Sequence, residues 1–233
     1  MRRRLFLFAH SVIAILLFAH TGVCQSSETA LVNQRINISL ARATFMQTLS
    51  VLAVEHRVPI GLERDADYWH RTEKLMSLEE GKIKWKEGTI FIKSGTLKEI
   101  LDSLVAQEPL YQWEVRDGVI NVYPARSRDG FLKQLLETRI KTFSPEKGMN
   151  KFQIRDAILD LPEIRALLET EKVEALKRSY PTRRSIYADN QVELGISNTN
   201  VRGILNRVAR DSEHKMWVVD RIGDKREGLE ISF

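Results

Sequence analysis

The chain of 233 residues has room for one or two domains, and its formal net charge is +5. Residues 1–24 hold three arginines and no acid, so the remainder carries +2. That balance argues against a nucleic-acid partner, which needs a net basic surface or stripe.

Arg2 to Arg4, the apolar run Leu5 to Ala19 and the small-x-small triplet Gly22-Val23-Cys24 read as a signal peptide over 1–24. A transmembrane anchor would need a longer apolar run. The expectation is a periplasmic or secreted protein with no transmembrane segment after signal removal. Cys24 is the one cysteine. Cleavage after it leaves no thiol in a compartment that permits disulfides. Lipid anchoring through Cys24 is the alternative, although Thr21 and Val23 depart from the usual lipoprotein box.

Residues 25–34 are polar and read as a flexible lead-in. Ile36, Ile38 and Leu40 alternate as a short strand over 35–40. Thr44 and Gln47 form a capping box, and Phe45, Leu49, Leu52 and Ala53 predict a helix to about His56. Val58 to Leu62 reads as a strand, with Pro59 placing it at an edge or a strand start. The stretch from Glu63 to Leu78 is polar and irregular. Ile83 and Trp85 alternate into Glu87-Gly88, and Ile90 and Ile92 alternate out of it, predicting a hairpin or a bent pair of strands.

Thr96 to Pro124 carries the strongest pattern. Thr96 and Glu99 form a second capping box, followed by an apolar stripe of Leu97, Ile100, Leu101, Leu104 and Val105. Asp117-Gly118 fits a type I′ turn that sets Val115 opposite Ile120, Trp113 opposite Val122, Glu114 opposite Asn121 and Arg116 opposite Val119. Trp113 and Trp217 both fall at core positions of their patterns.

Residues 125–130 read as a linker. Beyond them the pattern predicts a helix over Phe131 to Leu136, a strand over Arg139 to Phe143 and a loop to Asn150. Two helices follow, the second starting at Pro162, and then strands over Val173 to Tyr180 and Ile186 to Ile196. Adding 104 to Ile92, Leu97, Ile100, Leu101, Leu104, Val105, Trp113 and Val115 then gives Ile196, Val201, Ile204, Leu205, Val208, Ala209, Trp217 and Val219. Arg35-Ile36 maps onto Arg139-Ile140 in the same way, and Leu229, Ile231 and Phe233 form a closing strand. The reading is two copies of one α+β unit, over 35–124 and 131–233, each with one or two helices packed on short mixed β-sheets. In the second copy Asn200 replaces the Thr96 cap. Gly203 replaces Glu99 and costs about 1 kcal/mol relative to alanine.

This succession of strands, with its Gly-Thr-Leu-x-x-Ile-Leu helix and Asp-Gly hairpin ending Asn-Val-Tyr-Pro, resembles the secretin and TonB short N-terminal domain. The resemblance covers 35–124 and, more weakly, 131–233. It implies a small periplasmic module of the bacterial cell envelope used for protein–protein contact, linked to a secretion or transport assembly, with no catalytic residues. The sequence ends at Phe233 without a barrel or secretin body, and 63–81 is longer than the family's usual connection.

Chemistry is sparse. His56, His70 and His214 stand in no HExxH arrangement, and Asp65-x-Asp67-x-x-His70 lacks the glycine and further ligand of a metal loop. No phosphate-binding or nucleophile motif occurs, so no cofactor or metal is expected. The candidate interaction residues are Tyr68 and Trp69, two aromatics in a polar stretch, and the basic tip Arg183-Arg184. Either the aromatics are exposed anchors, or they fold back as a lid on the core. The expected function is non-enzymatic contact with an envelope protein. The alternative is binding of an envelope glycan or small molecule through Tyr68-Trp69.

Overall fold

A computed structural model describes residues 28–64, 76–79, 82–85, 90–126, 130–177, 194–213, 215–222 and 228–233. The fold is α+β. The first half contains β1 (Arg35–Ile36), β2 (Leu40–Ala43), α1 (Phe45–Val54), β3 (Ile60–Arg64), β4 (Met76–Glu79), β5 (Lys82–Trp85), β6 (Ile90–Ile92), β7 (Gly95–Thr96), α2 (Leu97–Gln107), β8 (Tyr111–Arg116) and β9 (Val119–Pro124). The second contains α3 (Gly130–Glu137), β10 (Arg139–Phe143), α4 (Lys151–Leu159), α5 (Pro162–Glu171), β11 (Glu174–Ala175), β12 (Ile196–Asn200), α6 (Val201–Asp211), β13 (Met216–Ile222) and β14 (Gly228–Ser232).

Both capping boxes form. Thr44 and Thr96 each accept from the backbone N–H three residues on, and the Gln47 and Glu99 side chains reach back. A third box, Asn150 with Gln153, starts α4 where the predicted loop ends. Around the Asp117-Gly118 turn the four cross-strand pairs of the β8–β9 hairpin are those expected from the sequence.

The halves share their strand order. β3-β9-β8 in the first and β11-β14-β13 in the second each have a parallel pair followed by an antiparallel pair. Finer details recur at the 104-residue spacing. The ends of α2 map onto those of α6. Arg35 pairs with Thr96, and Arg139 with Asn200. The N–H of Leu97 bonds the carbonyl of Gln34, and that of Val201 the carbonyl of Thr138. Trp113 Nε1 donates to Asp102 Oδ1 at 3.2 Å, and Trp217 Nε1 to Asn206 Oδ1 at 2.9 Å.

These strands make one sheet. β13 lies parallel to β3, in register Met216 to Ile60 through Asp220 to Arg64, giving the order β11-β14-β13-β3-β9-β8. Its counterpart β8 runs antiparallel to β9, so the second half is turned over relative to the first. Alternation along β13 then serves two cores. Met216 and Val218 join Ile60, Leu62, Ile120 and Val122 under α1 and α2. Trp217 and Val219 join Leu229 and Ile231 under α3 to α6 on the opposite face.

Several expectations need correction. The strand over 35–40 is broken over residues 37–39 by a side chain, since Ser94 Oγ accepts from Ile38 N–H and donates to Ile38 O in place of a ladder partner. Of the two places expected for Pro59 the strand start holds and the edge does not: it immediately precedes Ile60, the first residue of a central strand, and its carbonyl still accepts from Ile120. β5 does not pair with β6. It pairs with β4, Met76 opposite Trp85 and Glu79 opposite Lys82, while β6 pairs with β2. A strand therefore lies in the stretch read as irregular. The predicted strand from Val173 is reduced to Glu174–Ala175 among the described residues. Trp217 is fully buried but Trp113 is only half-buried, on a strand whose outer edge is paired by no strand among the described residues.

Gly203 is also not a merely tolerated residue. Its N–H donates to the Asn200 cap at 2.8 Å, and a Cβ there would overlap Thr199 Oγ1 and lie 3.3 Å from Asn200 Oδ1. Gly203→Ala should therefore forgo the helix-propensity gain and melt at or below the wild-type temperature. Combined with Thr199→Ala it should recover, with a coupling of about 1 kcal/mol in a double-mutant cycle of thermal unfolding. Simple additivity would show that the Thr199 hydroxyl rotates away.

Candidate functional site

The seam between the halves holds the densest polar cluster among the described residues. Glu63 projects from β3 onto the face that α6 covers. There Arg202, in the first turn of α6, meets it at 2.5 Å from Nη1, with both side chains under a tenth exposed. Arg202 Nε also reaches Glu137 at the end of α3, at 3.0 Å. Glu137 in turn accepts from Arg116 of β8 at 2.8 Å and from the Asn200 amide at 2.7 Å. Asn206, one turn along α6, accepts from the Trp217 indole and donates to the Arg116 carbonyl. At the end of the β3–β13 ladder Arg64 makes a two-pronged ion pair with Asp220. The Glu63–Arg202, Arg116–Glu137, Asn206–Arg116 and Arg64–Asp220 links join the two halves, so the cluster fastens α6 to the first half's sheet.

Burial holds the Glu63 carboxyl above the usual carboxylate range, against the pull of Arg202. Glu137 goes the other way. Its partial burial acts to raise it, but hydrogen bonds from Arg116 and Arg202 outweigh this and leave it lowered. The two shifts oppose each other in linkage. Glu63 contributes stability in full below its unfolded value, about 4.3, and loses it as pH rises through its folded value. Glu137 contributes above its unfolded value and loses it as pH falls through its folded value. In urea unfolding from pH 4 to 8, Glu63→Gln should thus gain on the wild type as pH rises. A constant difference across that range would show that Glu63 does not titrate with folding.

The outer edge of β8 is the second feature. Gln112 and Glu114 are exposed on one face, and Trp113 and Val115 are half-buried against α2 on the other. Glu114 accepts from Tyr123 at 3.4 Å. A third feature is an open cavity of about 400 Å³ between α5 and β11, floored by Leu159, Leu168 and Val173. At its rim Asp160 is bonded by Lys177 and Arg165, both at 2.9 Å, and these bonds hold its carboxyl below the ordinary value.

The chain matches no protein-family description, no curated protein and no solved structure. Tyr68, Trp69, Arg183 and Arg184 lie outside the described residues, as do residues 1–24 with Cys24, and Asp65, Asp67, His70 and His214. Among the described residues no three His, Cys, Asp or Glu side chains gather as metal ligands. No helix there is long and apolar enough to cross a membrane. Sequence reasoning missed both the seam and the open edge. The available signal was the spacing of 104, which sets Lys98 against Arg202 and Asp102 against Asn206.

Proposed function

We propose that this chain is an exported, non-enzymatic interaction module of the bacterial cell envelope, built by duplication of one α+β unit and serving a secretion or transport assembly. One observation carries the reading. The halves bind each other by strand addition, β13 laid parallel on the edge of β3, and β8 presents the corresponding edge without a strand among the described residues. Strand addition to an exposed edge is a recurrent means of capturing extended segments, with backbone hydrogen bonds giving affinity and alternate side chains specificity. A six-residue edge without proline or bulge is also an aggregation hazard when nothing covers it, which favours a dedicated occupant. The acids of the seam are each held by a guanidinium, an arrangement suited to fastening the scaffold.

Photo-crosslinking in the envelope tests this. A crosslinking residue at Gln112, on the β8 edge, should yield a discrete adduct, and one at Lys133, on α3, should not. Equal yields from both positions, or none from Gln112, would remove the edge as the contact surface.

A further inference from the structure

The second half shows what fills the edge that the first half leaves open. Trp217 of β13 lies against β3 at Gly61, its partner in the ladder. A Cβ on Gly61 would sit 2.7 Å from the indole Nε1 and closer still to Cζ2 and Cε2. Two residues on, Glu63 reaches Arg202 in the first turn of α6. The added strand is thus read as Gly-x-Glu on the helix side, the glycine admitting the indole and the glutamate meeting the cation.

Each receiving element has a counterpart in the first half. Adding 104 to Lys98, Asp102 and Trp113 gives Arg202, Asn206 and Trp217. Both indoles bond the same position of the preceding helix. The states differ as they should if only one edge is filled. Arg202 is 7% exposed and Lys98 is 57% exposed. Among the described residues Lys98 meets Asp102, an exposed partner one helical turn away, and an exposed pair of that kind is weak. The outward backbone groups match too. Lys215 O accepts from Ile60 N–H in the filled edge, and alternation sets Tyr111, Trp113 and Val115 facing outward on β8.

We propose that the β8 edge takes an extended segment of another protein, running parallel to β8, whose Gly-x-Glu side faces α2, with the glycine under Trp113 and the carboxylate on Lys98. This rests on the interaction-module reading and names the partner's chemistry. A second copy of this chain is a poor occupant. Its two Gly-x-Glu triplets, at Gly61 and Gly228, lie on β3 and β14, both interior strands of the sheet.

The probe is a synthetic peptide of residues 58–64, titrated to millimolar concentration against the full chain and followed by backbone amide shifts. Saturable shifts are expected over 97–105 and 111–116. Lys98→Glu should weaken binding at least ten-fold, and a peptide carrying Glu63→Lys should restore it on that variant. A peptide carrying Gly61→Val should not bind. Absence of shifts on β8, shifts confined to β13 through displacement of β3, or indifference to the glycine and charge changes would each overturn the assignment. A library of random displayed nonapeptides separates this from the broader reading. Selection of a different motif onto β8 discards Gly-x-Glu and keeps the interaction module, whereas selection of nothing discards both.

Discussion

Gly61→Ala should be among the most damaging single-methyl changes in the chain. Gly61 sits near the middle of the six-stranded sheet, and the fully buried Trp217 indole occupies the space its side chain would take. The indole cannot withdraw cheaply. It is held by Asn206 at 2.9 Å and packed with Val219, Leu229 and Ile231. Overpacking a core typically costs about 1–3 kcal/mol and occasionally more. Here the displaced side chain also carries a buried hydrogen bond and the β3–β13 ladder, so about 3 kcal/mol is expected. For a chain of this size that lowers the melting temperature by roughly 6–12 °C. Trp217→Leu should itself cost a few kcal/mol, roughly 3, by leaving a cavity. The double variant should then fall short of the sum of the two, since leucine vacates the space over position 61. An unchanged melting temperature for Gly61→Ala would show that the indole does not lie on β3, and the Gly-x-Glu argument for β8 would fall with it.

Arg202→Met is expected to cost about 3–5 kcal/mol, the range for removing one partner of a buried ion pair, because it strands the Glu63 carboxylate. Glu137 and Asn121 cannot substitute, since the first is an acid and the second is a neutral amide that supplies no positive charge. The pH dependence identifies the cause. Without the guanidinium, burial is left to raise the Glu63 carboxyl further, so the variant's deficit should shrink as pH falls toward the unfolded glutamate value. Adding Glu63→Leu should return most of the stability at neutral pH, as replacement of a buried pair by packed apolar groups often does. If Arg202→Met loses stability equally at pH 5 and pH 7, the loss lies in packing of the arginine stem and not in the stranded charge. Chemical denaturation at the two pH values decides between them.

Local sequence determined the parts whose causes are local. The caps at Thr44 and Thr96 are short-range exchanges: each hydroxyl accepts from the backbone N–H three residues on, and that residue's carboxamide or carboxylate accepts from the threonine's own N–H. The Asp117-Gly118 turn sets the β8–β9 register because two residues there take positive φ, 56° and 72°. The spacing of 104 was legible because the same helix and strand recur with the same apolar offsets. The two indole bonds at that spacing show that it reaches side-chain detail.

Only the tertiary structure decided which edge meets which. Both β8 and β13 carry a tryptophan at the same position of the 104-residue spacing, and nothing local distinguishes an edge that will be filled from one that will not. Gly61 read as one residue of a short strand, and its meaning came from Trp217, far along the chain. Nothing in the sequence singles out Glu63 or Arg202, since their burial is set by the helix layer that closes over them. Strand pairing between halves is a long-range choice made by shape and charge across an edge, so it is written in no single segment of the sequence.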